Sequence, residues 1–113
     1  MFIEQIRYYV NEENRDAFVT ARREIDDLRR THGIPPGDIM VADVEADDGP
    51  SVVWQCGYEN EEVMSGLTTR LMGNEAYEAA RERLASLMER AEIEMYTLEE
   101  MQDTSGVTLD QDA

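Results

Sequence analysis

Residues 37–62, GDIMVADVEADDGPSVVWQCGYENEE, decide the fold of this chain. A run rich in Ile, Met and Val over 37–46 reads as a strand, Asp47-Asp48-Gly49-Pro50 reads as a turn, and Ser51–Glu59 reads as a second strand. Asn60-Glu61-Glu62 then places a capping residue ahead of acids that suit the positive end of a helix dipole. Two strands joined by a turn and running into a helix are the middle of an antiparallel sheet. The question is what flanks them.

Upstream, MFIEQIRYYV (1–10) has the β-branched and aromatic content of a strand, and Asn11-Glu12-Glu13 repeats the cap pattern. Phe18, Ala21, Ile25, Leu28 and His32 then recur at steps of three and four, which predicts a helix over 12–32 ended by Gly33 and Pro35-Pro36. Downstream, Val63, Met64, Leu67 and Leu71 form a short helical stripe that Gly73 interrupts. Asn74-Glu75 restarts it, and Tyr77, Ala80, Leu84, Leu87 and Ala91 predict a helix to about residue 91. IEMYTLEEM (93–101) reads as the last strand. The order strand-helix-strand, strand-helix-strand is the split βαβ, ferredoxin-like arrangement of an α+β domain: a four-stranded antiparallel sheet with two helices on one face. One domain is expected over 1–101, with 102–113 a short acidic tail read as a solvated terminus or as an arm docking on a partner through Val107 and Leu109.

Alternation assigns the faces. Val52, Trp54, Cys56 and Tyr58 share one side of their strand and Val53, Gln55 and Gly57 the other; Phe2, Glu4, Ile6 and Tyr8 oppose Ile3, Gln5, Arg7 and Tyr9. Neither strand has a cleanly polar side. With both helices on one face, the mixed second face calls for a cover, and the simplest cover is a second copy related by a two-fold axis. Gln5, Arg7, Tyr9 and Gln55 are therefore dimer-interface candidates, Arg7 pairing with Glu94 or with an acid of the other copy.

The chain has 113 residues, enough for one core, with 26 acidic against 10 basic residues and a net charge of -16. That field repels phosphate and anionic lipid, so neither nucleic acid nor a membrane surface is an expected partner. No apolar run reaches the roughly 18 residues of a membrane span, and Met1–Gln5 lacks the basic start of a secretion signal, so the expected location is the cytoplasm. All ten basic residues are arginine. Acidity without lysine fits a halophilic protein kept hydrated in concentrated salt, where repulsion among carboxylates is screened within about 3 Å at 1 M; a GC-rich genome accounts for the arginines but not for the acids.

Several chemistries drop out. A lone Cys56 and a lone His32 supply neither a disulfide nor a structural zinc set. The absence of lysine removes a Schiff base and a Walker-type phosphate loop, and no serine sits in a G-x-S-x-G elbow. Neither a metal nor a cofactor is expected.

Gln5-Ile6-Arg7-Tyr8-Tyr9 resembles the opening strand of NIPSNAP-type proteins, Val52–Glu59 resembles their third strand, and Leu71–Tyr77 resembles the break in their second helix, with Tyr77 where that family carries tryptophan and without its proline. The resemblance spans residues 2–100 and extends to antibiotic-biosynthesis monooxygenases and stress-responsive A/B-barrel proteins. It implies a dimeric α/β barrel, with a pocket in each subunit between sheet and helices. In that superfamily some members are cofactor-independent monooxygenases of aromatic substrates, and some degrade haem with a histidine on the second helix. This chain has no histidine there, which speaks against haem degradation.

Two functions follow: binding of a small hydrophobic or aromatic molecule, or cofactor-free oxygenation of a phenolic or quinol substrate. The pocket candidates are Glu4, Tyr8, His32, Trp54, Tyr58, Met72 and Tyr77. Trp54, Cys56 and Tyr58 read first as core packing and second as a pocket wall. Cys56, with no basic neighbour in sequence, reads as an inert buried thiol. His32 reads as a helix-ending residue before a catalytic one. Glu4 is a general base if its face turns to the helices, and a solvated carboxylate if the strand end frays.

Overall fold

The computed structural model describes residues 1–43 and 49–100. Four strands and three α-helices follow in the order β1 (Phe2–Tyr9), α1 (Arg15–Thr31), β2 (Asp38–Val41), β3 (Val52–Tyr58), α2 (Glu61–Thr68), α3 (Glu75–Ser86) and β4 (Arg90–Thr97). The sheet order is β2-β3-β1-β4 with every neighbouring pair antiparallel, the ferredoxin-like topology expected from the strand and helix periods.

β1 lies between β3 and β4, and its register fixes both faces. Glu4, Ile6 and Tyr8 stand opposite Cys56, Trp54 and Val52 on one side and opposite Met95, Ile93 and Ala91 on the other. Those residues face the helices. Val52, Trp54, Cys56 and Tyr58 are all buried, packed with Tyr8 against Phe18, Ala21 and Ile25 of α1 and Ala80 and Leu84 of α3. Tyr8 and Phe18 meet ring to ring at 4.7 Å.

The caps divide. Asn60 and Asn74 each accept a hydrogen bond from the backbone three residues on, Val63 N and Tyr77 N, both at 2.9 Å. Asn11 makes no such side-chain bond; its carbonyl accepts from Asn14 N instead, and residues Glu12–Asn14 form a 3-10 turn before α1. At its other end α1 stops on Gly33: Gly33 N donates to Arg30 O at 3.0 Å and Ile34 N to Arg29 O at 2.8 Å, a Schellman closure, with Ile34 tucked into the protein.

One boundary is corrected. The helical spacing through Ala91 overextends the last helix, because α3 ends at Ser86 and β4 starts at Arg90, three residues before the expected strand. Pairing with β1 wins: Glu89 N donates to Tyr9 O, Arg90 pairs with Tyr9, and the Arg90 guanidinium lies 3.7 Å over the Tyr9 ring. The expected turn at 47–50 lies partly, and the tail at 102–113 wholly, outside the described residues. Among the described residues no helix is long and apolar enough to cross a membrane.

Candidate functional site

The helices do not cover the whole sheet. On the helix side of β4, Ile93 is 61% and Met95 44% exposed, whereas Ile6 and Glu4 beside them on β1 are half-buried and Trp54 and Cys56 beyond on β3 are buried. Ile93, in this uncovered strip, lines a trough of about 330 Å³ between sheet and helices, whose lining also includes Ile6, Ile25, Tyr77, Leu84 and Met88. That volume lies at the small end of the range for ligand pockets, roughly 300–1,000 Å³. Tyr8, Trp54, Glu4, Arg22, Arg29 and Arg81 supply its polar groups.

Two of the three cations come from α1. Arg22, Asp26 and Arg29 sit at steps of four and three beside the apolar stripe, and each is only 5% exposed. They are organised around the indole of Trp54. The Arg22 guanidinium lies 4.0 Å and that of Arg29 4.9 Å from the ring centroid. Trp54 Nε1 donates to Asp26 Oδ1 at 3.1 Å and to Pro36 O at 3.0 Å. Arg22 bridges Asp26 Oδ1 and Tyr8 Oη, both at 3.1 Å. Arg29 donates to Pro35 O at 2.8 Å and to Tyr58 Oη at 2.6 Å, with Cys56 Sγ 3.7 Å from its Nη2. Tyr58 in turn donates to Glu4 Oε1 at 3.1 Å. Such a connected network is what lets charges stay buried beside an aromatic ring.

Burial sets the protonation states here. It lifts the Asp26 carboxyl above its ordinary value, the Arg22 cation and the Trp54 hydrogen bond only partly opposing it. Desolvation also raises the Tyr8 phenol against Arg22, and raises Tyr58 far above the ordinary phenol despite Arg29. Both tyrosines are therefore neutral hydrogen-bond donors at neutral pH rather than bases. Tyr8 Oη accepts from Arg22 and donates to no acceptor among the described residues.

The structure brings together five of the seven pocket candidates. Glu4, Tyr8, Trp54 and Tyr77 line the trough, and Tyr58 stands behind it, linked to Glu4 and Arg29. Glu4 faces the helices and is half-buried, not frayed away. The other two lie elsewhere. His32 Nδ1 is bonded to Leu28 O at 2.8 Å and its Nε2 to the Asn74 amide at 3.3 Å, so the ring is held at the junction of α1 with the start of α3. Met72 is 75% exposed, because the chain break before α3 turns it to solvent. Cys56 is buried, and the basic neighbour that its sequence surroundings lack is supplied in space by Arg29. Sequence reasoning missed Arg22, Asp26 and Arg29. Their spacing beside Phe18, Ala21 and Ile25 was the available signal, but charges next to a stripe are usually solvated.

On the opposite, helix-free face, Gln5, Arg7, Tyr9 and Gln55 project together. Gln5 Nε2 donates to Gln55 Oε1 at 3.1 Å, Arg7 pairs with Glu94 at 2.9 Å as one of its two expected partners, and Tyr9 donates to Glu92. Apolar Met40 and Tyr96 share this face and are 43% and 45% exposed.

No protein-family model matches the chain, and no curated protein matches it. Solved structures do. An uncharacterized NIPSNAP domain protein from Burkholderia xenovorans superposes with a TM-score of 0.71 at 16% identity, over 91% of this chain and 100% of that one. An antibiotic biosynthesis monooxygenase superposes with a TM-score of 0.62 at 12% identity, over 87% and 98%. A dimeric protein of unknown function with a ferredoxin-like fold, from Bacteroides fragilis, superposes with a TM-score of 0.61 at 10% identity, over 86% and 95%. By its strand order and these superpositions, the chain has the ferredoxin-like fold that NIPSNAP proteins and antibiotic biosynthesis monooxygenase-like proteins share.

Proposed function

We propose that this protein binds a small hydrophobic or aromatic molecule in the trough between sheet and helices. One observation carries the reading: the helices bury β3 on their side of the sheet but leave Ile93 and Met95 of β4 exposed there, beside a cavity with apolar walls and converging polar groups. A sheet face that is closed over β3, half-open over β1 and exposed over β4 is the geometry of a receptor for a planar apolar body. The protein acts as a homodimer in the cytoplasm, two copies meeting through the face that carries Gln5, Arg7, Tyr9 and Gln55, where half-exposed Met40 and Tyr96 supply the apolar area. Titration calorimetry with a panel of bicyclic aromatics, and light scattering for the mass, test the two parts. Absence of heat with every aromatic removes the binding reading; a monomer in high salt removes the dimer.

A second reading, cofactor-free oxygenation of a phenol or quinol, is favoured by the Glu4 carboxylate in the same cavity as Tyr8, Trp54 and Tyr77. Glu4 takes the phenolic proton, the phenolate reacts as its ring carbanion with dioxygen, Glu4 returns the proton to the peroxide, and loss of water turns that ring C–H into C=O, giving a quinone with one oxygen atom leaving as water. Oxygen uptake with quinols at high salt tests it. Turnover abolished in Glu4→Gln supports the step, whereas equal turnover in the variant refutes Glu4 as base.

A further inference from the structure

From the polar groups of the trough we infer the chemical class of its ligand: an organic carboxylate on an apolar body, an anion drawn into a chain whose own net charge is -16. This deepens the binding reading above and rests on it. The lining contains three guanidinium groups, Arg22, Arg29 and Arg81, against one carboxylate, Glu4. Asp26, bonded to Arg22, offsets one cation from behind. Three positive against two negative groups leave one cation in excess, in a protein where acids outnumber bases by 26 to 10.

Hydrogen-bond bookkeeping points the same way. Arg22 is 5% exposed, and its Nε is buried with no hydrogen-bond partner among the described residues, although its two terminal nitrogens are bonded to Tyr8 and Asp26. That nitrogen is enclosed by protein, so what Arg22 offers the trough is its positive charge. Tyr8 Oη has a proton and no acceptor, and burial keeps that proton on. Arg81, whose guanidinium reaches over the Tyr77 ring at 5.6 Å, makes no ion pair among the described residues. Tyr8 and Arg81 thus offer donors in want of an acceptor, with the Arg22 cation bonded behind the Tyr8 hydroxyl. A carboxylate supplies two acceptor oxygens and the negative charge, while Ile6, Ile93, Leu84 and Met88 take the apolar remainder. The long-range field of the acidic surface opposes entry only weakly, since it is screened within about 8 Å at physiological salt, and contacts inside the trough are shorter than that.

The test compares 2-naphthoate with 2-naphthamide, equal in shape and different in charge, by titration calorimetry in one buffer at one ionic strength. Naphthoate is expected to bind at least about tenfold tighter, the low end for one charge-assisted hydrogen bond. Arg81→Gln, at an exposed position that folding does not depend on, is expected to cut that preference at least about threefold with no change in melting temperature. Arg22→Gln is expected to abolish it, and because a buried position is at risk of misfolding, the Arg81 variant carries the decision. A preference at or below one, or a preference that Arg81→Gln leaves unchanged, overturns the inference while leaving apolar binding intact. Failure of both probes to bind overturns the binding reading itself, so the two failures are told apart.

Discussion

Replacing Gly37 by alanine is expected to destabilise the protein far more than the same change at Gly33, although both glycines lie in one loop and both have left-handed backbones, φ +81° and +71°. The conformational penalty is common to both, about 1–2 kcal/mol for an L side chain in that region. Surroundings separate them. A Cβ on Gly33 would meet only Arg70 Nη1, at 3.1 Å, the end of a long exposed side chain that can shift at the cost of its bonds to His32 O and Gly33 O, 3.2 and 3.4 Å. A Cβ on Gly37 would stand 2.6–2.7 Å from Cε2, Cζ2 and Nε1 of Trp54. That ring yields only by breaking its contacts: Arg22 lies over it at 4.0 Å, and its Nε1 is bonded to Asp26 and Pro36. Overpacking a fixed core group adds about 1–3 kcal/mol, so the expected losses are about 1–2 kcal/mol for Gly33→Ala and about 2–5 kcal/mol for Gly37→Ala. The second is a large fraction of the roughly 5–15 kcal/mol that holds a domain together. Urea unfolding at constant high salt, followed by the emission of the single tryptophan, measures both. Gly37→Ala should also shift the native emission, because the indole itself is displaced, while Gly33→Ala should not. Equal losses, or an unchanged native spectrum in Gly37→Ala, would refute the claim that the loop backbone clamps Trp54.

The pH dependence of Asp26 has a definite sign. Burial raises its folded-state pKa above the ordinary 3.8, so the stability it contributes is full below that value and falls as pH rises through the folded pKa. The stability of Asp26→Asn relative to the parent, from urea midpoints across that window, should therefore climb with pH, and a fall would reverse the balance between burial and the Arg22 pair. Raising salt from 0.1 to 1 M, which shortens the screening length from about 10 to about 3 Å, should raise the melting temperature of a chain with a net charge of -16; a melting temperature that is flat or falling with salt removes the halophilic reading. Asn60→Ala and Asn74→Ala each delete a side-chain cap and should each cost about 1 kcal/mol, with Asn74→Ala the larger because it also releases His32, whereas Asn11→Ala should cost a few tenths by comparison, all three read from urea midpoints.

The fold was legible because its signals were local. Period two in VVWQCGY and FIEQIRYY, period three and four in Phe18–Leu28, and three asparagine-acid starts are properties of neighbouring residues, and tertiary structure departed from them at Asn11, where a 3-10 turn replaces the cap, and at 87–91. There Leu87 and Ala91 fit a helix equally well, and the choice rested on the free edge of β1, which no local pattern contains. The trough was legible only in part, for the same reason. Trp54 and Tyr8 could be placed on the helix side from alternation, but Met72 depended on how the chain leaves the break before α3, and His32 on where Asn74 arrives.

The arginines show why charge in particular resists such reading. Composition gives only the sum of the charges, and helical spacing gives only which of them neighbour the stripe; whether Arg22 and Arg29 face water depends on what stands across from them. Trp54, brought opposite by the β1–β3 register, accepts both cations on its ring and offers Asp26 its one N–H, which makes burial of all three tolerable. An indole placed one residue along β3 would project from the other side of the sheet, and the same helix would then have to turn those charges outward. The polarity of the trough is thus set by the parity of one strand position. That is how a strongly acidic chain comes to hold a cavity whose lining favours the opposite sign.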